Sequence, residues 1–155
     1  MNQAVIKGNL DGDGMHIGIA AATWNQSITD RLVEGATRRS ETMGVSKVTV
    51  VRVPGALEVP LAAKSLALHG CDAVVAIGAV VKGETDHYDI VVRESSAGLS
   101  RVSLDTGVPV ANAILAVHDF SQAMERAGEG DANRGAEAAE AAVSMARALM
   151  ELNGA

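Results

Sequence analysis

The 155-residue sequence predicts an α/β three-layer sandwich built on a four-stranded parallel sheet. Two patterns and one feature of composition carry that prediction. Four short runs are rich in Val, Ile and Ala, as strands buried on both faces are. Each run is followed by a segment whose apolar residues recur at helical spacing, the alternation that places helices on both sides of a parallel sheet. Aromatic residues are only 2% of the chain (Trp24, Tyr88 and Phe120), so the core must be aliphatic.

The elements follow in order. Met15–Ala22 is the first strand, and the loop Thr23–Gln26 comes next. Ser27, with Asp30 three residues on, is placed to cap a helix. Ile28, Leu32, Ala36 and Met43 form that helix's stripe, and Gly44 ends it. Lys47–Val53 is β-branched and reads as a strand, broken by Pro54-Gly55. Leu57, Leu61 and Leu68 sit at helical spacing, with Pro60 in a first turn where its missing N–H costs nothing. Asp72–Val81 is a buried strand, and Lys82–His87 a polar turn. Val92, Ser95, Leu99, Val102 and Thr106 step as a helix ended by Gly107. Pro109–Val117 is the fourth strand, Ser121–Ala127 a short helix, and Gly128–Gly135 a polar loop. A last helix with the stripe Ala139, Val143, Ala146 and Met150 runs to Leu152. The whole reads as a small flavodoxin-like domain over 15–155. Residues 1–14 form an N-terminal arm, in which Ala4–Ile6 could add an edge strand.

Composition excludes several function classes. The chain has 13 basic and 19 acidic side chains, a net charge of −6, and no basic patch interleaved with aromatics, which speaks against nucleic acid. Cys71 is the single cysteine, so no intramolecular disulfide or paired-cysteine metal site is available. Asp11, Asp13, Asp30, Asp105 and Asp131 lack metal-ligand spacing, and His16, His69 and His118 are isolated, so no metal is expected. The longest apolar stretch, Ala73 to Val81, is too short to cross a bilayer. The N-terminus lacks the plan of a signal peptide, so a cytoplasmic protein is expected.

Ligands of such sheets bind beyond the carboxyl ends of the strands, and there the loops hold unusual chemistry. Trp24 offers a stacking face and Asn25 both donor and acceptor; the plain alternative is a Trp packed over a core edge. Glu58, in Val53–Pro60, falls where a helix start favours a carboxylate; it either caps the helix or reaches ligand hydroxyls, with Gly55 letting a ligand approach the backbone. Gly83, Thr85 and His87 close the third strand's turn. A glycine, a hydroxyl and the free N–H groups of a helix start make an anion site, and an imidazole there exchanges protons near neutral pH. The spacing is not that of a Walker loop. Arg126 and Arg134, taken alone, read as solvated charges.

These pieces together resemble a known family. TWN at 23–25, VPGALEVP at 53–60, GAVVKGETDHYD at 78–89, SLDTGVPV at 103–110, QAMERAG at 122–128 and NRGAEAA at 133–139 are similar to 6,7-dimethyl-8-ribityllumazine synthases, in order and spacing, from Met15 to Leu152. The resemblance implies a cofactor-free, metal-free condensation of riboflavin biosynthesis. A ribitylaminouracil amine attacks the ketone of 3,4-dihydroxy-2-butanone 4-phosphate, and Schiff-base formation, phosphate loss and ring closure follow. It implies that Trp24 stacks on the uracil, with Asn25 beside it. It places Ala56, Leu57 and Glu58 at the ribityl chain, and Val80 and Val81 at the uracil edge through their backbone. It assigns Gly83, Glu84 and Thr85 to the phosphate loop, His87 to proton transfer, and Arg126 to the phosphate from an adjoining subunit, with Arg134 where the family often has Lys. Asn112 stands where many members place an aromatic over the ligand. The family's pentamers, some built into 60-subunit shells, imply a homo-oligomer whose sites are shared between subunits. The loop Gly128–Gly135 has the length of shell-forming members but not their Gly- and Lys-rich composition. Two other readings stay open on the residues: a non-catalytic flavin binder of the same fold, and a shell-forming protein.

Overall fold

The computed structural model describes residues 1–154, with Asp131 described by its backbone alone; Ala155, the last residue of the expected domain, lies outside them. Four strands, β1 (His16–Ala22), β2 (Lys47–Val53), β3 (Ala73–Val81) and β4 (Val110–Val117), form one sheet in the order β2-β1-β3-β4, with every pair parallel. Five α-helices connect and flank them: α1 (Gln26–Thr42), α2 (Val59–Leu68), α3 (His87–Thr106), α4 (Phe120–Arg126) and α5 (Arg134–Leu152). Single 3₁₀ turns at Ala56–Glu58 and Gly130–Ala132 complete the described elements. The expected sandwich is therefore the one observed, with β1 and β3 central and β2 and β4 at the edges.

Because side chains alternate along a strand, the sheet feeds two separate cores. Ile17, Ile19, Val75, Ile77 and Leu115 face α1, α4 and α5, where they meet Ile28, Leu32, Ala139 and Val143. Ala20, Ala22, Val74 and Ala76 face α2 and α3, where they meet Val59, Ala63, Leu66 and Leu99. The second face is built of smaller residues, so its helices lie close. A Cβ on Gly18 would come within 3.0 Å of Leu66 and of the Cys71 sulfur. Where α3 crosses α2, a Cβ on Gly98 would sit 2.8 Å from Pro60. On the other side α1 and α5 cross at glycines too. A Cβ on Gly35 would strike the Asn133 amide at 2.2 Å, and one on Gly135 the Leu32 carbonyl at 2.0 Å. Asn133 locks that crossing: its Oδ1 accepts from Ala136 N (3.0 Å), while its Nδ2 donates to the carbonyls of Arg31 (3.1 Å) and Gly128 (3.0 Å).

Two local expectations are corrected and one helix face is oriented. The cap of α1 is Asn25 rather than Ser27, because the helix already begins at Gln26 and Ser27 lies within its first turn. Leu57, Leu61 and Leu68 point outward at 43%, 75% and 64% exposure, while Val59, Ala63 and Leu66 cover the sheet. Ala4–Ile6 forms no strand in the single chain. Instead the arm lies over α5, with Gly8 against Ser144 and the Arg147 guanidinium donating to the carbonyls of Asp11 (2.5 Å) and Asp13 (2.6 Å). At the amino ends of the strands Cys71 is buried, its Sγ 3.7 Å from His16 Nε2, and burial, with Asp72 beside it, pushes its thiol up. That end is opposite the loops that carry the candidate chemistry.

Candidate active site

At the carboxyl ends of β1, β2 and β3 the backbone itself assembles the site. Thr23 N donates to Val53 O (2.7 Å) and Trp24 N to Pro54 O (3.1 Å), which ties the loop after β1 to the turn after β2. Trp24 therefore reaches over Gly55, where an added Cβ would lie 3.3 Å from its ring. A larger residue there would have to push aside the indole and the Glu58 carboxylate, 3.2 Å away. The indole is nonetheless 70% exposed, an unusual position for the largest apolar side chain.

Glu58 closes the same turn. Its Oε2 accepts from Gly55 N at 3.1 Å, so in the free chain the carboxylate caps its own 3₁₀ turn. That partner occupies one oxygen of an exposed side chain and leaves the other available. Ala56 is buried beneath the turn and Leu57 exposed on it. Val80 and Val81, half-buried, end β3 next to this corner. Asn25 Nδ2 donates to Ala79 O at 2.7 Å, joining β1's loop to β3.

The β3–α3 turn presents Lys82, Gly83, Glu84, Thr85, Asp86 and His87, all exposed. Lys82 N bonds Val117 O at 2.9 Å, which fixes the turn's root to β4. His87 is the first residue of α3, and its amide donates to Thr85 Oγ1 at 3.4 Å. Asp86 makes no side-chain cap, and the Asp89 amide turns back to the Asp86 carbonyl at 3.1 Å. A glycine, a hydroxyl and a helix start together suit an oxyanion such as phosphate. The His87 side chain is exposed at the rim of this turn.

The remaining predicted residues lie elsewhere. Asn112, Arg126 and Arg134 line one groove of about 430 Å³ along the open edge of β4, floored by Ala111–Val117 and walled by Ala138 and Ala141 of α5. Asn112 Oδ1 accepts from Ile114 N at 2.8 Å. Arg126 is half-buried and donates to its own helix at Gln122 O (3.0 Å), and Arg134 pairs with Glu137 at 2.7 Å. Asp119 caps α4, accepting from Gln122 N at 3.0 Å; that bond and the Ser121 hydroxyl hold its carboxyl below the usual range. The predicted residues of the single chain thus fall in two places, one at the ends of β1–β3 and one on β4's edge. A larger groove of about 690 Å³ between α1 and α5, lined by charges of both signs, contains none of the predicted residues.

Two features escaped the sequence. Neither Asn25's bond across the sheet nor the fit of Trp24 to Gly55 has a signal in spacing, since each joins segments far apart in the chain. Among the described residues no helix is long and apolar enough to cross a membrane, and no cluster of three metal-binding side chains occurs.

Comparison with known proteins covers almost all of this architecture. The family model described as 6,7-dimethyl-8-ribityllumazine synthase matches residues 14–150. A protein of that name from Mycobacterium sp. (strain KMS) is 46% identical over 147 residues, 94% of this chain and 91% of its own length. One from Thermococcus kodakarensis is 45% identical over 153 residues, 98% of this chain and 97% of its own. One from Paraburkholderia phymatum is 45% identical over 152 residues, 94% of this chain and 86% of its own.

Proposed function

The chain belongs to the 6,7-dimethyl-8-ribityllumazine synthase family, and from that premise we propose that its two half-sites meet between neighbouring copies to form one catalytic centre. The protein is a transferase of riboflavin biosynthesis. It condenses 5-amino-6-(D-ribitylamino)uracil with 3,4-dihydroxy-2-butanone 4-phosphate to 6,7-dimethyl-8-ribityllumazine, releasing phosphate and water. The observation that carries the assignment of the first half-site is the exposed indole of Trp24 laid on Gly55 at the same strand ends as the exposed turn that opens α3.

In this reading the uracil stacks on the free face of Trp24, with its edge toward the Val80 and Val81 backbone and Asn25 beside it. The ribityl chain runs over Ala56 and Leu57, where Glu58 exchanges the Gly55 amide for ligand hydroxyls. The phosphate sits on Gly83, Glu84 and Thr85 and meets Arg126 of an adjoining copy, with Arg134 and Asn112 completing that wall. Holding both reactants together removes much of the entropic barrier of a bimolecular step. Arg126 and the amides stabilise the departing phosphate, and His87 carries protons between the condensing amine, the ketone oxygen and water.

The assembly proposed is a cytoplasmic homopentamer, either free or built into a 60-subunit shell. Supporting it are the split of the site residues and the apolar side chains left outside, among them Leu61, Leu68 and Leu104 at 64–84% exposure. Native mass distinguishes monomer, pentamer and shell, and a monomer would overturn it. The activity itself is tested by incubating the purified protein with both substrates. Lumazine absorbance and phosphate should rise together, one for one, and absence of both in the assembled protein would overturn the assignment.

A further inference from the structure

We propose that Asn25 is a positioning residue, a tether across the gap between β1 and β3 that holds the indole of Trp24 in place and so sets how tightly the ring-bearing substrate binds. This rests on Trp24 being the stacking platform. Among the described residues Asn25 is the only non-glycine with positive φ, at 59° with ψ 47°. It also begins α1, its carbonyl accepting from Ile28 N (2.9 Å) and Thr29 N (3.0 Å). An Asn in that place ordinarily has extended backbone and turns its side-chain oxygen onto the helix's first amides. Asn25 does neither. It makes no side-chain cap, and its Nδ2 donates to Ala79 O instead.

The pairing of β1 with β3 ends at Ala21 and Ile77. Ala79 thus lies two residues past the last paired position. The Asn25 amide supplies there a donor that a longer β1 would have supplied. Trp24 is the residue between two anchors, its own amide fixed to Pro54 O on the β2 side and the next side chain fixed to Ala79 O on the β3 side. Its backbone is spanned across the point where the strand order reverses, which is where ligands of this architecture bind. Beyond its contact with Gly55, the exposed ring depends on these two anchors. Left-handed backbone is tolerated by Gly and by Asn or Asp, but Gly cannot reach Ala79, and Asp would set an acceptor against an acceptor. The two demands together select Asn.

Trp24 is the chain's only tryptophan, so its fluorescence anisotropy reads this position alone. In the wild-type assembly the decay should be dominated by slow tumbling. Asn25→Gly keeps the backbone conformation and removes the tether. It should add a fast component and raise KM for 5-amino-6-(D-ribitylamino)uracil about three- to tenfold, the effect of losing one neutral hydrogen bond. kcat and the KM for the ketone phosphate should stay within about twofold of wild type, a split that general damage to the fold would not produce. Asn25→Asp should move both readouts in the same direction. Wild-type anisotropy or wild-type KM in the assembled Asn25→Gly protein would overturn the proposal. So would fast, large-amplitude depolarisation of Trp24 in the wild-type protein, a measurement that needs no variant to fold. Anisotropy requires no substrate, so failure of the synthase reading would show separately, as wild-type protein that makes no lumazine.

Discussion

Gly55 is crowded from two sides, by the Glu58 carboxylate and by the indole of Trp24. An aromatic ring resting on a backbone with its other face open is prepared for a flat ligand, and its removal should touch binding more than folding. Trp24→Ala should weaken ribitylaminouracil binding by about 1–3 kcal/mol, the range found for bases stacked on aromatic side chains, with Tm nearly unchanged because the ring is 70% exposed; calorimetric titration and thermal melts check the two halves. His87 differs in kind. His87→Ala should lower kcat by about 10²-fold, the low end for a proton-transfer group, since amine and ketone react once they are held together, and should leave the assembly intact by native mass. Single-turnover assays give the rate. At this scale the sequence revealed residue types at strand ends, but not their resting partners. Glu58 was legible both as a cap and as a ligand group, and only the Gly55 amide at 3.1 Å shows which role it plays in the free chain.

Among the elements, α1 and α5 depend on one tight crossing. Gly135→Ala would place a methyl group 2.0 Å from the Leu32 carbonyl, so the helices must separate. Overpacking of that kind should cost about 1–3 kcal/mol in urea unfolding. The short helix α4, which carries Arg126, depends on acidity instead. Asp119's carboxyl is held below its usual range by the Ser121 hydroxyl and the Gln122 amide, so the folded state favours the charged form. Its capping contribution is complete above the ordinary aspartate range and disappears as pH falls through the lowered value. Amides of Ala123 to Arg126 should therefore lose protection, relative to their intrinsic exchange rates, as pH falls, and Asp119→Asn should flatten that dependence; hydrogen exchange by NMR reads it. Apolar patterning located the four strands and α1, α2, α4 and α5 within about two residues. It missed the start of α3, which begins at His87, inside the expected turn and five residues before the Val92 stripe, because its first turn is polar and exposed. It misassigned the first cap, as a Ser27–Asp30 box is a local pattern whereas the bond that draws Asn25 into the turn comes from β3. It also could not orient Leu57, Leu61 and Leu68, since exposed leucines have the same spacing as leucines bound for the core.

For the molecule as a whole, the decisive fact is that Arg126, Arg134 and Asn112 share a groove on β4's edge while Trp24, Glu58 and His87 belong to the other strand ends. If each centre draws on two copies, damaged subunits can repair one another. His87→Ala and Arg126→Ala proteins, each weak alone, should give on co-refolding an activity above the sum of the parents, because some interfaces pair an intact His87 with an intact Arg126. No gain, with mixed assemblies confirmed by mass, would return both residues to one chain's site. The parallel sheet was legible in full. The arm was not, for Ala4–Ile6 has strand-like residues but no partner in its own chain, and Gly8 and Arg147 lay it over α5 instead.

The two cores are unequal, and the inequality decides how far a distant substitution is felt. On the α2–α3 side the sheet offers Gly18, Ala20, Ala22 and Ala76, and the helices are already in contact with it. A methyl group added at Gly18 would press on Leu66 of α2, whose first residue follows Glu58 directly. Drift in that hidden layer therefore displaces the carboxylate, and an enzyme altered only in its interior would show the change first as a changed appetite for the sugar-alcohol chain of its substrate.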